Sequence, residues 1–195
     1  MNSPELFELI NIFTVETNSK PTIVGSQSTH GTLDTIPEIA KLSSEVDFLM
    51  LGLSSEMRNR IETEYGVFSK FREEFGAHID TLGLATVVLP PNWQERLVPF
   101  RRPDGEIVAY CIEIYDLCVS KFFAGREKDI TFLTGLLQSE QVDITKLVER
   151  LTLLTDSPQA NALADRIDRL LAGLSRSNVE RDILVSLRDL KSSLE

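Results

Sequence analysis

Ser44-Glu45-Val46-Asp47-Phe48-Leu49-Met50-Leu51 is the stretch on which the reading of this chain turns. From Val46 to Leu51 it is apolar except for Asp47, the pattern of a strand buried on both faces. Glu45 and Asp47 stand two apart at its head, so on a strand their side chains share one face. Carboxylates placed together repel, and one of them takes up a proton unless a cation intervenes. Mg2+ suits such a pair because it prefers carboxylate and phosphate oxygens. Upstream, Thr22-Ile23-Val24 is a short β-rich run ending at Gly25-Ser26. A Gly-Ser turn lets backbone N–H groups approach a phosphate. Metal-holding carboxylates beside a close backbone are the parts that phosphoryl or nucleotidyl transfer needs. A solvated strand edge and an ordinary turn would use the same residues.

The whole chain sets the bounds. Its 195 residues are 42% hydrophobic and 26% charged, enough to fold around a core without a disulfide or metal staple. Thirty acidic residues against 20 basic ones give a formal charge of −10. That balance disfavours a nucleic-acid binder with a broad basic surface and leaves room for a local basic site. Cys111 and Cys118 lie in apolar runs and read as buried thiols. No apolar run is long enough to span a membrane, and Met1-Asn2-Ser3-Pro4-Glu5 is not a basic leader start, so a cytoplasmic protein is expected.

Working outward, Ser3 caps a first helix carrying Leu6, Leu9, Ile10 and Phe13, which stops at Lys20-Pro21. Residues 27–33 read as a short helix or an irregular connection, and 34–44 as a loop with one helical turn. Ser54 or Ser55 caps an amphipathic stretch to Phe75. Residues 77–81 and 85–89 read as strands, the second stopped by Pro90-Pro91. Residues 97–100 and 106–114 form a hairpin around Pro103-Asp104-Gly105. From Asp116 onward the pattern is helical, punctuated at Gly125, 140–143 and 156–158. Residues 158–194 give two amphipathic helices joined near 175–178. Their apolar stripes either pack on the protein or form a surface for a homo-oligomer or partner. The expected organisation is an α/β core over 1–115 and a helical region over 116–195.

A second constellation follows Asp116, which suits a helix N-cap. Lys121 sits among Val119, Phe122 and Phe123, an unusual place for a solvated lysine. Gly125 ends that helix, and Arg126, Lys128 and Asp129 open the next. This local basic cluster reads either as a triphosphate clamp, with Asp129 orienting a lysine or joining a metal site, or as a structural ion-pair network. Glu113 becomes a third carboxylate, and a base for an attacking hydroxyl, if its strand neighbours that of Glu45 and Asp47. His30 and His78 lack partners at metal-ligand spacing. Ser26 lacks a nucleophile elbow. Trp93 packs a turn or stacks a base with help from Arg96, Arg101 and Arg102.

Four blocks in one order carry a resemblance: Val24-Gly25-Ser26-Gln27, Ser44-Glu45-Val46-Asp47, Leu89-Pro90-Pro91-Asn92-Trp93-Gln94-Glu95-Arg96-Leu97, and Asp116-Leu117-Cys118-Val119-Ser120-Lys121 with Ala124-Gly125-Arg126-Glu127-Lys128-Asp129. Over roughly residues 20 to 155 the chain resembles a bacterial family of predicted nucleotidyltransferases related to AbiEii/MenT-type nucleotidyltransferase-like toxins. The resemblance implies an α+β, polymerase-β-like nucleotidyltransferase core, a mixed sheet flanked by helices, with a helical C-terminal part. It implies that Gly25 and Ser26 cradle phosphate and that Glu45 and Asp47 hold Mg2+ or Mn2+. It gives Lys121 and Asp129 catalytic roles. Arg126 and Lys128 read as substrate-binding cations beside them. Three departures from the family pattern are visible: Glu45 stands first in the usual Asp-x-Asp, no clear basic residue follows the pair, and Gly-Ser-Gln replaces the commoner Gly-Gly or Gly-Ser with a clean helix behind it. The expected activity is NMP transfer from an NTP to an RNA (tRNA) or protein acceptor, in a toxin–antitoxin or phage-defence setting with an antitoxin partner. Long-range repulsion between an acidic chain and RNA tilts the acceptor toward protein or a small molecule. The alternative is a catalytically degenerate nucleotidyltransferase fold acting as a binding or regulatory module.

Overall fold

The computed structural model describes residues 1–155, 157–174 and 181–192. The chain divides into two compact units. One comprises Met1–Val87 with Gln94–Glu113; the other runs from Ile114 onward and includes Val88–Trp93. The architecture is α+β, with a five-stranded mixed sheet and a helical C-terminal part.

The sheet unit opens with α1 (Ser3–Thr17). Its N-cap is Asn2 rather than Ser3. The Asn2 side chain accepts from the Glu5 N–H and the Glu5 carboxylate accepts from the Asn2 N–H, each at 2.9 Å. This reciprocal box satisfies two otherwise orphaned donors. The strands are β1 (Thr22–Ile23), β2 (Glu45–Leu49), β3 (His78–Leu82), β4 (Val98–Arg101) and β5 (Ile107–Cys111). They are ordered β3-β2-β1-β5-β4. β2 runs parallel to β3 and antiparallel to β1; β5 runs parallel to β1 and antiparallel to β4.

Register follows from burial. Val46, Phe48 and Ile79 are fully buried in one core with Leu6, Leu9, Ile10 and Phe13 of α1. The Phe13 and Phe48 rings lie 4.6 Å apart, centroid to centroid. Burying each such side chain contributes about 1.5–3 kcal/mol. A one-residue slip of β2 would turn Glu45 and Asp47 into that core, so the slip is forbidden and both carboxylates are fixed on the opposite face.

Between the strands, the turn after β1 continues into α2 (Thr29–Thr32), and α3 (Glu38–Lys41) is the single helical turn expected before β2. The stretch expected to run unbroken to Phe75 is two helices, α4 (Ser55–Tyr65) and α5 (Lys70–Phe75). Ser54 caps the first and Ser69 the second. The break falls at Gly66, where a Cβ would lie 2.3 Å from the Glu62 carbonyl oxygen. Residues 85–89 do not form the expected strand. Leu84–Thr86 is a 3-10 turn in which the Thr86 N–H and hydroxyl both donate to the Gly83 carbonyl, a local closure that competes with any ladder.

The helical unit contains α6 (Ile114–Ala124), α7 (Glu127–Gln138), α8 (Ile144–Thr152), α9 (Ala160–Leu174) and α10 (Arg181–Ser192). Gly125, at φ +61°, separates α6 from α7. Asp116 is not an N-cap, because α6 starts at Ile114. Its carboxylate is fully buried and paired with Arg150 of α8. Leu163, Ile167, Leu170 and Leu174 of α9, and Ile183, Leu187 and Leu190 of α10, are buried, and these helices pack on one another and on α6, α7 and α8. The apolar stripes offered for an oligomer surface are therefore covered within their own unit. The expected join at 175–178 lies outside the described residues. No described helix is long and apolar enough to cross a membrane.

Candidate functional site

The Gly-Ser turn and the acidic strand meet. The Val24 N–H donates to the Asp47 carbonyl at 3.0 Å, extending the β1–β2 pairing to the turn. A Cβ on Gly25 would lie 1.6 Å from Asp47 Oδ2, so only a glycine lets the backbone pass this close to the carboxylate. Gly25 then leads into a 3-10 turn, Ser26–Ser28. Ser26, Gln27, Ser28 and Thr29 are all buried, which is unusual for so polar a segment. The Gln27 amide donates to the Ala40 carbonyl at 3.0 Å, fastening this turn to the segment before β2. Gln27 Oε1 and Ser28 Oγ are buried without hydrogen-bond partners.

The strand beside β2 adds groups that sequence reading missed. In the parallel β2–β3 register, Glu45 is opposite His78 and Asp47 is opposite Asp80. All four side chains therefore belong to the sheet face away from α1. Glu45, His78 and Asp80 each offer a ligand atom, all within 4.8 Å of one another. His78, set aside at the sequence level for want of a neighbour at metal spacing, is thus part of the cluster. The signal was present in a form that spacing along the chain does not reveal. His78-Ile79-Asp80 repeats the polar–apolar–polar alternation of Glu45-Val46-Asp47 on the adjacent strand.

Glu113 does not meet the condition set for it. β1 lies between β5 and β2, so the strand preceding Glu113 is not the neighbour of the acidic strand. Glu113 stands two residues past β5, just beyond Ile112, whose N–H donates to the Ile23 carbonyl. It leaves the sheet at the end where the Gly25 turn begins. Trp93 is buried at 7% exposure, so it is packed rather than open for stacking. Arg101 donates to the Gly105 carbonyl and Arg102 faces Glu106, both within the hairpin. His30 lines a separate cavity of about 480 Å³ with Ser3, Glu5, Ile36 and Lys41. Both cysteines are buried, and burial pushes the Cys111 thiol up to about 12.

In the helical unit, the expected basic cluster is centred on a buried acid. The Asp129 side chain is fully buried. Its Oδ1 lies 3.2 Å from Lys121 Nζ, and its Oδ2 accepts from Arg126 Nε at 2.6 Å. Burial pushes this carboxyl up, but the Arg126 and Lys121 charges outweigh it and hold it below the usual carboxylate range. Lys121 also stands over the Phe132 ring, 5.5 Å from its centroid. Arg166 of α9 lies across Gly125, its Nη1 2.5 Å from where a Cβ would be. Lys128 is exposed.

The residues fit a divalent cation on the sheet face: the Glu45 and Asp80 carboxylates and a His78 nitrogen come within 4.8 Å of one another, and Asp47 lies on the same face beside the Gly25 turn. A mixed sheet with a Gly-Ser turn pressed against an acidic strand, and a helical C-terminal part, is the arrangement of a nucleotidyltransferase. The chain belongs to the family described as nucleotidyltransferase of unknown function (DUF6036), whose model matches residues 5–181. No curated protein and no solved structure matches it.

Proposed function

We propose that the protein is a metal-dependent nucleotidyltransferase that moves NMP from an NTP to a hydroxyl of an RNA or protein acceptor. The observation that supports this reading is the close approach of Gly25 to the Asp47 carboxylate, which puts the Gly-Ser turn directly beside the acidic strand. Glu45 and Asp47 hold the cation, with Asp80 of the adjacent strand completing the carboxylate set. The bound Mg2+ or Mn2+ supplies charge for the triphosphate and polarises the α-phosphoryl group. Backbone N–H groups at Gly25 and Ser26 orient the phosphates. The acceptor oxygen forms a bond to the α-phosphorus, the bond to the β-phosphate oxygen breaks, and pyrophosphate leaves with the electron pair. Glu113 is the candidate for taking the hydroxyl proton, since it leaves the sheet beside the Gly25 turn. In the helical unit taken by itself, Lys121, Arg126 and Lys128 are the cations offered for phosphate binding, and Asp129 orients the first two.

The resemblance to AbiEii/MenT-type proteins supports a toxin–antitoxin or phage-defence role with an antitoxin partner. The test is incubation with labelled NTPs, Mg2+ or Mn2+, and either total tRNA or cell protein. Label is expected on one acceptor class, and Asp47→Ala and Asp80→Asn are expected to abolish it. Transfer by Asp47→Ala equal to wild type would refute the reading. Nucleotide binding without transfer in the wild type would favour a regulatory module instead.

A further inference from the structure

Mg2+ is not the ion that this donor set suits best, and His78 is the reason. Its side chain is only 5% exposed, and its Nδ1 is buried without a hydrogen-bond partner. Its Nε2 lies 3.7 Å from Asp80 Oδ1, beyond hydrogen-bonding distance. A buried imidazole ordinarily finds a partner for its ring nitrogens, because an unmade hydrogen bond there is costly. Two acids stand beside it: Glu45 opposite it in the register, and Asp80 two residues on. Both carboxylates are only partly buried, so an ion can reach them from solvent. One ring nitrogen of His78 and one carboxylate oxygen each from Glu45 and Asp80 lie within 4.8 Å of one another, three donors at metal-binding separation.

We propose that Glu45, His78 and Asp80 form a nitrogen-bearing cation site that takes a first-row transition ion, Zn2+ or Mn2+, in preference to Mg2+. Imidazole nitrogen is a good ligand for these ions and a poor one for Mg2+, which demands oxygen and retains its waters. The Irving–Williams order then puts Zn2+ above Mn2+. The proposal rests on the reading above in that Glu45 and Asp80 serve both the cation site and the transfer reaction. His78 is the selectivity residue: removing its nitrogen leaves an all-oxygen site with no reason to favour a transition ion.

The experiment uses the metal-free full chain and the metals alone, without nucleotide. Calorimetric titration with ZnCl2, MnCl2 and MgCl2 is expected to give one tight Zn2+ site, at least tenfold tighter than Mg2+, with Mn2+ between them. In His78→Gln the Zn2+ affinity falls at least tenfold and the Mg2+ affinity changes less than threefold. A second readout covers the case in which that variant does not fold. The chain has two histidines, so imidazole NMR signals are few, and a His30→Gln variant assigns them. One equivalent of Zn2+ should shift the His78 ring signals and leave those of His30 in place, whereas Mg2+ should shift neither. Equal affinities for Zn2+ and Mg2+, or His78 signals unmoved by Zn2+, overturn the proposal. Zn2+ binding at His78 in a chain with no transferase activity upholds it and removes the transferase reading. Mg2+-dependent transfer without a His78–Zn2+ signature does the reverse.

Discussion

The contact between Gly25 and Asp47 makes a quantitative prediction. In Gly25→Ala the new methyl meets Asp47 Oδ2 at 1.6 Å, Cγ at 2.5 Å and Cβ at 2.9 Å, whereas real Cβ contacts stay beyond 3.0 Å. Gly25 has φ −93° and ψ −165°, an extended conformation open to any residue, so backbone strain adds nothing. The whole cost is steric and falls on one carboxylate. Overpacking of this kind costs about 1–3 kcal/mol. Asp47 is half-buried and can yield by leaving its rotamer, itself worth about 1 kcal/mol, so a loss of about 2 kcal/mol is expected. For a chain of this size that lowers Tm by about 4–8 °C.

A double-mutant cycle isolates the contact. Asp47→Gly removes all three clashing atoms, so in that background Gly25→Ala should cost nothing, or gain up to about 1 kcal/mol by stiffening the unfolded chain. The coupling between the two sites, read from urea unfolding, is therefore about 2 kcal/mol. Transfer activity in Gly25→Ala should fall about a hundredfold even where the chain remains folded, because displacing a reacting group by an ångström costs that much. If Gly25→Ala costs the same in both backgrounds, within about 0.5 kcal/mol, the turn and the acidic strand do not meet as described and the site built on them fails.

Further predictions concern the helical unit. Asp129→Asn should cost about 2 kcal/mol, less than a fully buried pair would lose, because Arg126 is 59% exposed and shares its charge with water. Asp129 also predicts a pH profile. Its folded-state pKa is depressed, so its stabilisation is fully present above the ordinary value of 3.8 and is lost as pH falls from there through the lower folded value. Urea unfolding across the acid range should show this loss in the wild type, and a flatter acid limb in Asp129→Asn. Two glycines should respond oppositely to alanine in thermal melts. Gly135 in α7 has nothing within 4 Å of its absent Cβ, so Gly135→Ala should stabilise by up to about 1 kcal/mol. A Cβ on Gly173 would meet Ile130 Cγ2 at 2.4 Å, and because that β-branched side chain is stiff, Gly173→Ala should destabilise by about 1–3 kcal/mol.

The sequence made legible whatever is encoded by neighbours along the chain. The alternation around Val46 and Phe48 marked β2 and put both acids on one face, because period two is a property of one strand. Gly125 marked the end of α6, because a left-handed residue is a local requirement. The errors came where a tertiary contact decided the outcome. Asp116 looks like a cap until Arg150, 34 residues away, is seen to hold its carboxylate. Residues 85–89 failed for a different, local reason: they have the composition of a strand, but the Thr86 N–H and hydroxyl both close on the Gly83 carbonyl and turn the chain before any ladder can form.

His78 and Asp80 show the same limit at the site itself. Metal ligands on helices or in knuckles recur at fixed spacing, so a scan along the chain can find them. Ligands on adjacent parallel strands are separated by whatever connects the strands, here the two helices α4 and α5, and their spacing carries no information. What fixes them is register. The burial of Val46 against Ile79 sets Glu45 beside His78 and Asp47 beside Asp80, with no choice left to the polar residues. The polar face is thus a by-product of how the apolar face packs. Substitutions that loosen Val46, Phe48 or Ile79 should therefore weaken cation binding as well as stability, although none of the three touches the ion.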